Sequence, residues 1–196
     1  KATTATATLT GDLGIDDFES VTFDTSDYSL DVQGDITSSD LDAVTLIGDN
    51  AIALGTATSK EFSSTTLATI DATGITGTAT AEVYAINSTA NMTVTGPAST
   101  GTFTVHTGSG ADTVTAGGGS LVASTGAADD TITGGTAADT ITGGAGNDTI
   151  NIADTTSVED VLIMAEYGVN NYDIITGFET GTASTDDELT LTLSGF

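Results

Sequence analysis

Cysteine, arginine and tryptophan are absent from the 196 residues, and lysine, histidine and proline are nearly so: Lys1, Lys60, His106 and Pro97 are the whole supply. Without cysteine there is no disulfide, iron–sulfur cluster or thiolate-bound zinc, and a cysteine-free chain is compatible with secretion. Two lysines against 28 acidic residues leave a net charge of −26. Such a surface repels phosphate, which excludes nucleic-acid binding by charge, and it lacks the basic segments that hold anionic membranes. No apolar run approaches the ~20 residues needed to cross a bilayer, so membrane insertion is not expected. Lys1 opens no charged segment followed by an apolar one, so no signal peptide of that kind is expected.

Threonine (42 residues), glycine (24) and aspartate (21 of the 28 acids) dominate what is there. High charge with few aromatics usually means disorder. Here, however, threonine, valine and isoleucine alternate throughout, which favours strands. The core must then consist of thin ladders of Val, Ile, Leu and Ala. The charge must be neutralised from outside, and divalent cations are the obvious candidates.

Two periods organise the chain. Five nonapeptides abut without a gap from Thr107 to Asn151. Asp112, Asp130, Asp139 and Asp148 fall in phase at their sixth position, and Val114, Ile132, Ile141 and Ile150 at their eighth. The second unit carries Leu121 where the others carry aspartate, and a degenerate sixth copy at 168–176 places Asp173 and Ile175 in phase. An earlier, looser period of 23 and 26 residues relates Phe18-x-x-Val21-x-Phe23, Leu41-x-x-Val44-x-Leu46 and Leu67-x-x-Ile70-x-Ala72. Apolar pairs follow each: Leu30/Val32, Ile52/Leu54 and Ala79/Ala81. Val83/Ile86, Met92/Val94 and Phe103/Val105 extend the ladder toward the nonapeptides. Short alternating strands at such a repeat length predict rungs of a parallel β-solenoid. Val158 to Tyr167 is the one segment with helical spacing.

Each nonapeptide combines a six-residue turn with a three-residue strand. The turn reverses the chain tightly, so glycine serves where unusual backbone angles are needed. It aims carbonyls inward, and the aspartate adds a carboxylate; Ca²⁺ takes 6–8 such hard oxygens. Two units make one coil, so alternate loops stack on the same edge. Asp112, Asp130 and Asp148 share one edge, with two intervals between them. Leu121 and Asp139 share the other, where the leucine cannot hold a cation.

The unit at 143–151 reads G-G-x-G-x-D-x-U-x, U being apolar, and so resembles the RTX calcium-binding repeat, a signature of calcium-loaded parallel β-rolls. The resemblance implies calcium as the cofactor, with loop carbonyls of Gly108, Gly110, Gly126, Gly144 and Gly146 or their neighbours beside Asp112, Asp130 and Asp148. It carries Gly135, Ala137 and Asp139 as the second edge's loop, and Asp173 as a further ligand. Ala128 and Ala137 stand where the motif has its second glycine, which predicts strained or loosened loops. The stretch 69–77 resembles a rung found before such repeats, and 173–178 with 186–191 resembles the segment that closes RTX rolls.

The expected architecture is all-β: a right-handed parallel β-solenoid with loose rungs over 1–106, an RTX β-roll over 107–151 and a cap over 152–196. The expected role is structural. Chains rich in Thr, Ala and Gly with almost no Lys resemble RTX-bearing surface-layer proteins of the Caulobacter type. That resemblance implies an extracellular cell-surface location reached by type I secretion, with self-association into a lattice or fibre, or attachment to the rest of a larger chain. Cell-surface polysaccharide is a further candidate partner. The alternative is a stalk or secretion module of a type I-secreted RTX adhesin or exoenzyme.

An enzyme is not expected. With one histidine no H-E-x-x-H motif exists. Ser109 and Asp112 near His106 are better used in a calcium loop, and His106 is expected to face outward beside it. The paired acids Asp16-Asp17, Asp129-Asp130 and Asp186-Asp187 could cut a polysaccharide, but an acidic one needs basic residues to grip it. Asp129 is read as an adjacent calcium carboxylate. Asp12, Asp16, Asp17 and Glu19 are either another calcium group or a solvated face.

Overall fold

The computed structural model describes residues 6–55, 62–153, 158–166, 172–180 and 187–193. Two long sheets face each other, and every strand pair in them is parallel. The eight-stranded sheet runs through Ser20–Thr25, Ala43–Gly48, Thr69–Ile75, Thr93–Thr95, Thr113–Thr115, Thr131–Thr133, Thr149–Asn151 and Ile174–Thr176. The nine-stranded sheet runs through Thr6–Leu9, Ser29–Val32, Ile52–Leu54, Ala81–Tyr84, Phe103–His106, Leu121–Ala127, Thr140–Ala145, Val161–Glu166 and Glu188–Leu193. The chain alternates between the sheets, so each pair of strands is one rung of a β-solenoid. Leu13–Gly14 and Ile36–Thr37 form a small third ladder beside the first rungs.

The register explains why such short strands suffice. A period of two sends alternate side chains inward. In one sheet Val44, Ile70, Val94, Val114, Ile132, Ile150 and Ile175 form a continuous column. Opposite it stand Leu54, Val83, Val105, Ala123, Ile141 and Leu162. Apart from the half-buried Ile175, all are buried. Each contributes roughly 1.5–3 kcal/mol when fully buried, somewhat less for alanine. A single Ile132→Ala change would leave a cavity in a core only two side chains thick, costing about 2–5 kcal/mol. Outward positions fall to threonine, whose branched side chain suits a pleated surface.

Most of the expected frame holds: Val21 pairs Val44, Phe23 pairs Leu46, and Leu30/Val32 pair Ile52/Leu54. Four details differ. Val161–Glu166 is a strand, not part of a helix, and no helix occurs among the described residues. The open edges of the Thr140–Ala145 and Glu188–Leu193 strands flank it, and ladder hydrogen bonds override its helical spacing. Tyr167 lies outside the described residues. The partner of Ile52/Leu54 is Ala81/Val83 rather than Ala79/Ala81, a shift of two residues that preserves the inward face. Phe18 and Ile86 lie on the surface, because each precedes or follows its strand instead of sitting in it.

Candidate metal centre

The residue that enters each strand from its turn points inward, and this position builds the site. On one edge it is Met92, then Asp112, Asp130 and Asp148, all buried, while in the earlier rungs the buried Leu41 and Leu67 lie one residue further ahead of their strands. The aspartates chain the rungs together. Met92 N–H donates to Asp112 Oδ1 (2.8 Å), Asp112 N–H to Asp130 Oδ1 (2.7 Å), and Asp130 N–H to Asp148 Oδ1 (2.9 Å). Asp148 N–H then donates to Asp173 Oδ1 (2.8 Å). Asp173 therefore continues this column, and the edge has three aspartate–aspartate intervals where the nonapeptides alone suggested two. Residues 168–171 of the sixth copy lie outside the described residues.

Only one oxygen of each carboxylate is used in this way. Oδ2 of Asp112, Asp130 and Asp148 is buried and receives no hydrogen bond. The Thr125 hydroxyl lies beside Asp130, yet its proton goes to the Gly143 carbonyl (2.8 Å). Burial pushes the Asp130 carboxyl up to about 7; the Asp112 N–H opposes the rise, and the flanking Asp112 and Asp148 charges add to it. Burial likewise raises Asp112 and Asp148. A column of buried, unpartnered carboxylate oxygens is costly by itself and calls for positive charge. Lys1 and Lys60 are the only lysines, against 28 acidic residues, and both lie outside the described residues. Among the described residues no three acidic or histidine side chains converge. A cation in an interval would meet two carboxylates and must complete its shell with main-chain carbonyls, which is the donor set of Ca²⁺.

The turns stack tightly, glycine against the carbonyl of the rung before. A β-carbon on Gly126 would meet the Gly108 carbonyl oxygen at 2.0 Å, and one on Gly144 would meet that of Gly126 at 2.1 Å. Gly126 and Gly144 also have φ of 94° and 110°, which only glycine adopts freely. Gly110 and Gly146 abut the carbonyls of Ala90 and Ala128 in the same manner. The Gly108 carbonyl already accepts the Ala127 N–H, at 3.2 Å. Ala128 adopts φ 82° without glycine's freedom, so the strain expected there is present. No positive φ occurs at Ala137.

The other edge is built differently. Its inward position is held by Ile52, Ala81, Phe103 and Leu121, and then by Asp139, Asp160 and Asp187. Leu121 N–H donates to Asp139 Oδ1 (2.7 Å) and Gly135 N–H to Asp139 Oδ2 (2.8 Å), so both oxygens of Asp139 are occupied. Burial pushes Asp139 up to about 6, against those two donors. Asp139 N–H donates to Asp160 Oδ1 (2.7 Å), and Asp160 N–H to Asp187 Oδ1 (3.2 Å). Asp160 is thus the neighbour of Asp139. Asp173 serves the opposite edge. Sequence reasoning missed Asp160 because spacings of 21 and 27 residues break the nonapeptide period. The signal available was an aspartate directly before an apolar strand, Val161-Leu162-Ile163.

Two other residues are now placed. Asp129 lies on the surface, where Oδ1 accepts the Asn147 N–H (2.8 Å) and so braces the next turn. His106 is half-buried on the outer face of its sheet and stacks on Tyr84, ring centroids 4.6 Å apart.

Residues 104–120 and 124–151 match the family profile of the RTX calcium-binding nonapeptide repeat, four copies. The break between the two segments spans 121–123, where Leu121 replaces the aspartate. No curated protein and no solved structure matches the chain. With parallel rungs, glycine turns and a buried column of half-satisfied carboxylates, the segments 104–120 and 124–151 are RTX nonapeptide repeats, and the cation they bind is calcium.

Proposed function

We propose that the chain is a calcium-stabilised structural segment of an extracellular surface assembly, with no catalytic role, and that a surface-layer lattice is its setting. RTX repeats are typical of type I-secreted extracellular proteins, which supports the location. The observation that carries the assembly reading is where apolar surface lies. Of the eight large apolar side chains exposed among the described residues, seven sit at the two ends of the solenoid: Leu9, Phe18 and Tyr28 at one, Tyr172, Ile174, Phe178 and Leu189 at the other. Apolar side chains left exposed beside a strand edge are what a solenoid covers with further rungs, a cap or a neighbouring molecule. Acids accompany both ends, including Asp17, Glu19 and Glu188, so subunits at −26 repel unless cations intervene. Calcium bridging through these exposed acids is the proposed link.

Asp187 does not serve as such a bridge. It is buried, and its Oδ2 accepts the Glu179 N–H at 2.6 Å; Asp186 lies outside the described residues. Light scattering tests the reading. Calcium should drive particle growth, and replacing Asp17, Glu19 and Glu188 by Asn or Gln should weaken growth while leaving the β spectrum unchanged. Sodium at matched ionic strength should only screen, over about 8–10 Å. Equal particles in sodium would refute bridging. A protein that stays monomeric in calcium would favour the stalk of an adhesin.

A further inference from the structure

The two halves of the solenoid satisfy their interiors by different chemistry. Every buried acid among the described residues falls at or after Asp112: Asp112, Asp130, Asp139, Asp148, Asp160 and Asp187. Before that point the buried polar residues are hydroxyls: Thr25, Ser38, Ser64, Ser88, Ser99 and Thr107. Most of them brace the turns without a cation. Ser64 Oγ donates to the Leu41 carbonyl (3.1 Å) and Ser88 Oγ to the Leu67 carbonyl (2.8 Å). Thr25 Oγ1 donates to the Asn50 carbonyl (2.8 Å), and Asn50 Nδ2 returns a bond to the Thr25 carbonyl (2.7 Å).

The buried aromatic side chains among the described residues, Phe23, Phe62, Tyr84 and Phe103, all precede residue 107, while fully buried Leu and Ile continue past it at Leu121, Ile132, Ile141, Ile150 and Leu162. The early rungs therefore have what a metal-free fold requires, buried aromatic side chains and turns braced inside by hydroxyls. The later rungs have buried carboxylates instead. On one edge the two kinds meet at the Met92 N–H on Asp112 Oδ1, and on the other at the Leu121 N–H on Asp139 Oδ1.

We infer that the rungs up to His106 form a calcium-independent seed, and that calcium adds the aspartate rungs to it through the Met92–Asp112 junction, so that cation supply sets the length of the folded rod. This rests on the reading that calcium folds the later rungs. The seed removes the need to nucleate a parallel sheet anew, the slow step for non-local pairing. Each carboxylate accepts the N–H of the rung before it, so every new rung docks on one already formed.

Hydrogen exchange followed by mass spectrometry on the full chain tests this, in chelator and in about millimolar calcium. Amides of Ala43–Gly48, Thr69–Ile75 and Ala81–Tyr84 should be protected on the order of 100-fold or more in both buffers. Those of Thr113–Thr115, Thr131–Thr133 and Thr149–Asn151 should be protected only with calcium. If the early strands lose protection in chelator together with the late ones, the seed is refuted while calcium-driven folding stands. If the late strands stay protected in chelator, calcium-driven folding is refuted and the length switch with it.

Discussion

Asp130 sits between two other aspartates and should respond to neutralisation in opposite senses with and without calcium. The substitution is Asp130→Asn. The amide oxygen can still accept the Asp112 N–H that Oδ1 now takes at 2.7 Å, so the rung contact survives. In the wild type, burial carries this carboxyl from 3.8 to about 7. That rise is worth on the order of 4 kcal/mol against the ionised fold at neutral pH, taking 1.36 kcal/mol per unit. In chelator the variant should therefore be the more stable protein, by up to that amount, and show more β signal in circular dichroism. In calcium the balance reverses. Asp130 faces two intervals, and an ion held at 100 times its dissociation constant stabilises by about 2.7 kcal/mol. Losing two such ions removes about 5 kcal/mol, more than the charge relief returns. Asp112→Asn borders a single aspartate interval, because Met92 lies on its other side, and should lose about half as much. Denaturant unfolding in both buffers, with calorimetric calcium stoichiometry, reads these values. A variant less stable than wild type in chelator would refute the buried-charge argument. One that keeps full calcium stoichiometry would refute the stacking of intervals.

Two further outcomes follow from the same geometry. Folded carboxyls at about 7 (Asp130) and about 6 (Asp139) retain protons that the unfolded chain releases near 3.8, so without calcium stability falls as pH rises from about 4 and the loss is complete above about 7. Acidifying chelated protein from pH 7.5 to 4.5 should regain β signal, calcium should flatten the profile, and a chelated protein indifferent to pH would contradict it. Ala128→Gly relieves the residue held at φ 82° and should raise stability in calcium by about 1 kcal/mol, read as the thermal midpoint; a lower midpoint would show that the turn is not strained there.

The solenoid was legible because its register repeats. In-phase apolar residues such as Val114, Ile132 and Ile150 can face one core only if the strands stack in parallel, and they do. The aspartate column was legible for the same reason, down to Asp173, whose loop is longer by seven residues than the strict period but whose place before Ile174–Thr176 is unchanged. What escaped the sequence lay where turn length varies. Asp160 and Asp187 take the inward position after turns of irregular length, and Val161–Glu166 carries helical spacing by accident of composition while its neighbours demand a strand. Local pattern encodes the inward face well. Register across an irregular turn is decided by pairing with rungs distant in the chain.

One position in the rung, the inward residue that follows the turn, explains how a chain of this composition folds. Leucine or methionine there closes the edge by burial, as at Met92 and Leu121, and aspartate leaves it open to an ion. Both choices fit the same backbone, since each aspartate takes the N–H of the preceding rung whether that rung carries Met92 or Asp112. A leucine contributes roughly 1.5–3 kcal/mol whether or not calcium is present. An aspartate pair contributes nothing or less until calcium arrives, and afterwards a term that grows with the logarithm of its concentration. At Leu121 the second edge keeps the unconditional choice one rung longer than the first, which changes at Asp112. The edges therefore pass to calcium at different heights. The rung holding Phe103 and Asp112, and the next holding Leu121 and Asp130, each keep one apolar edge. Those two rungs bridge the metal-free and metal-dependent parts of the solenoid, where an abrupt change on both edges at once would leave the first calcium rung without an apolar edge to hold it.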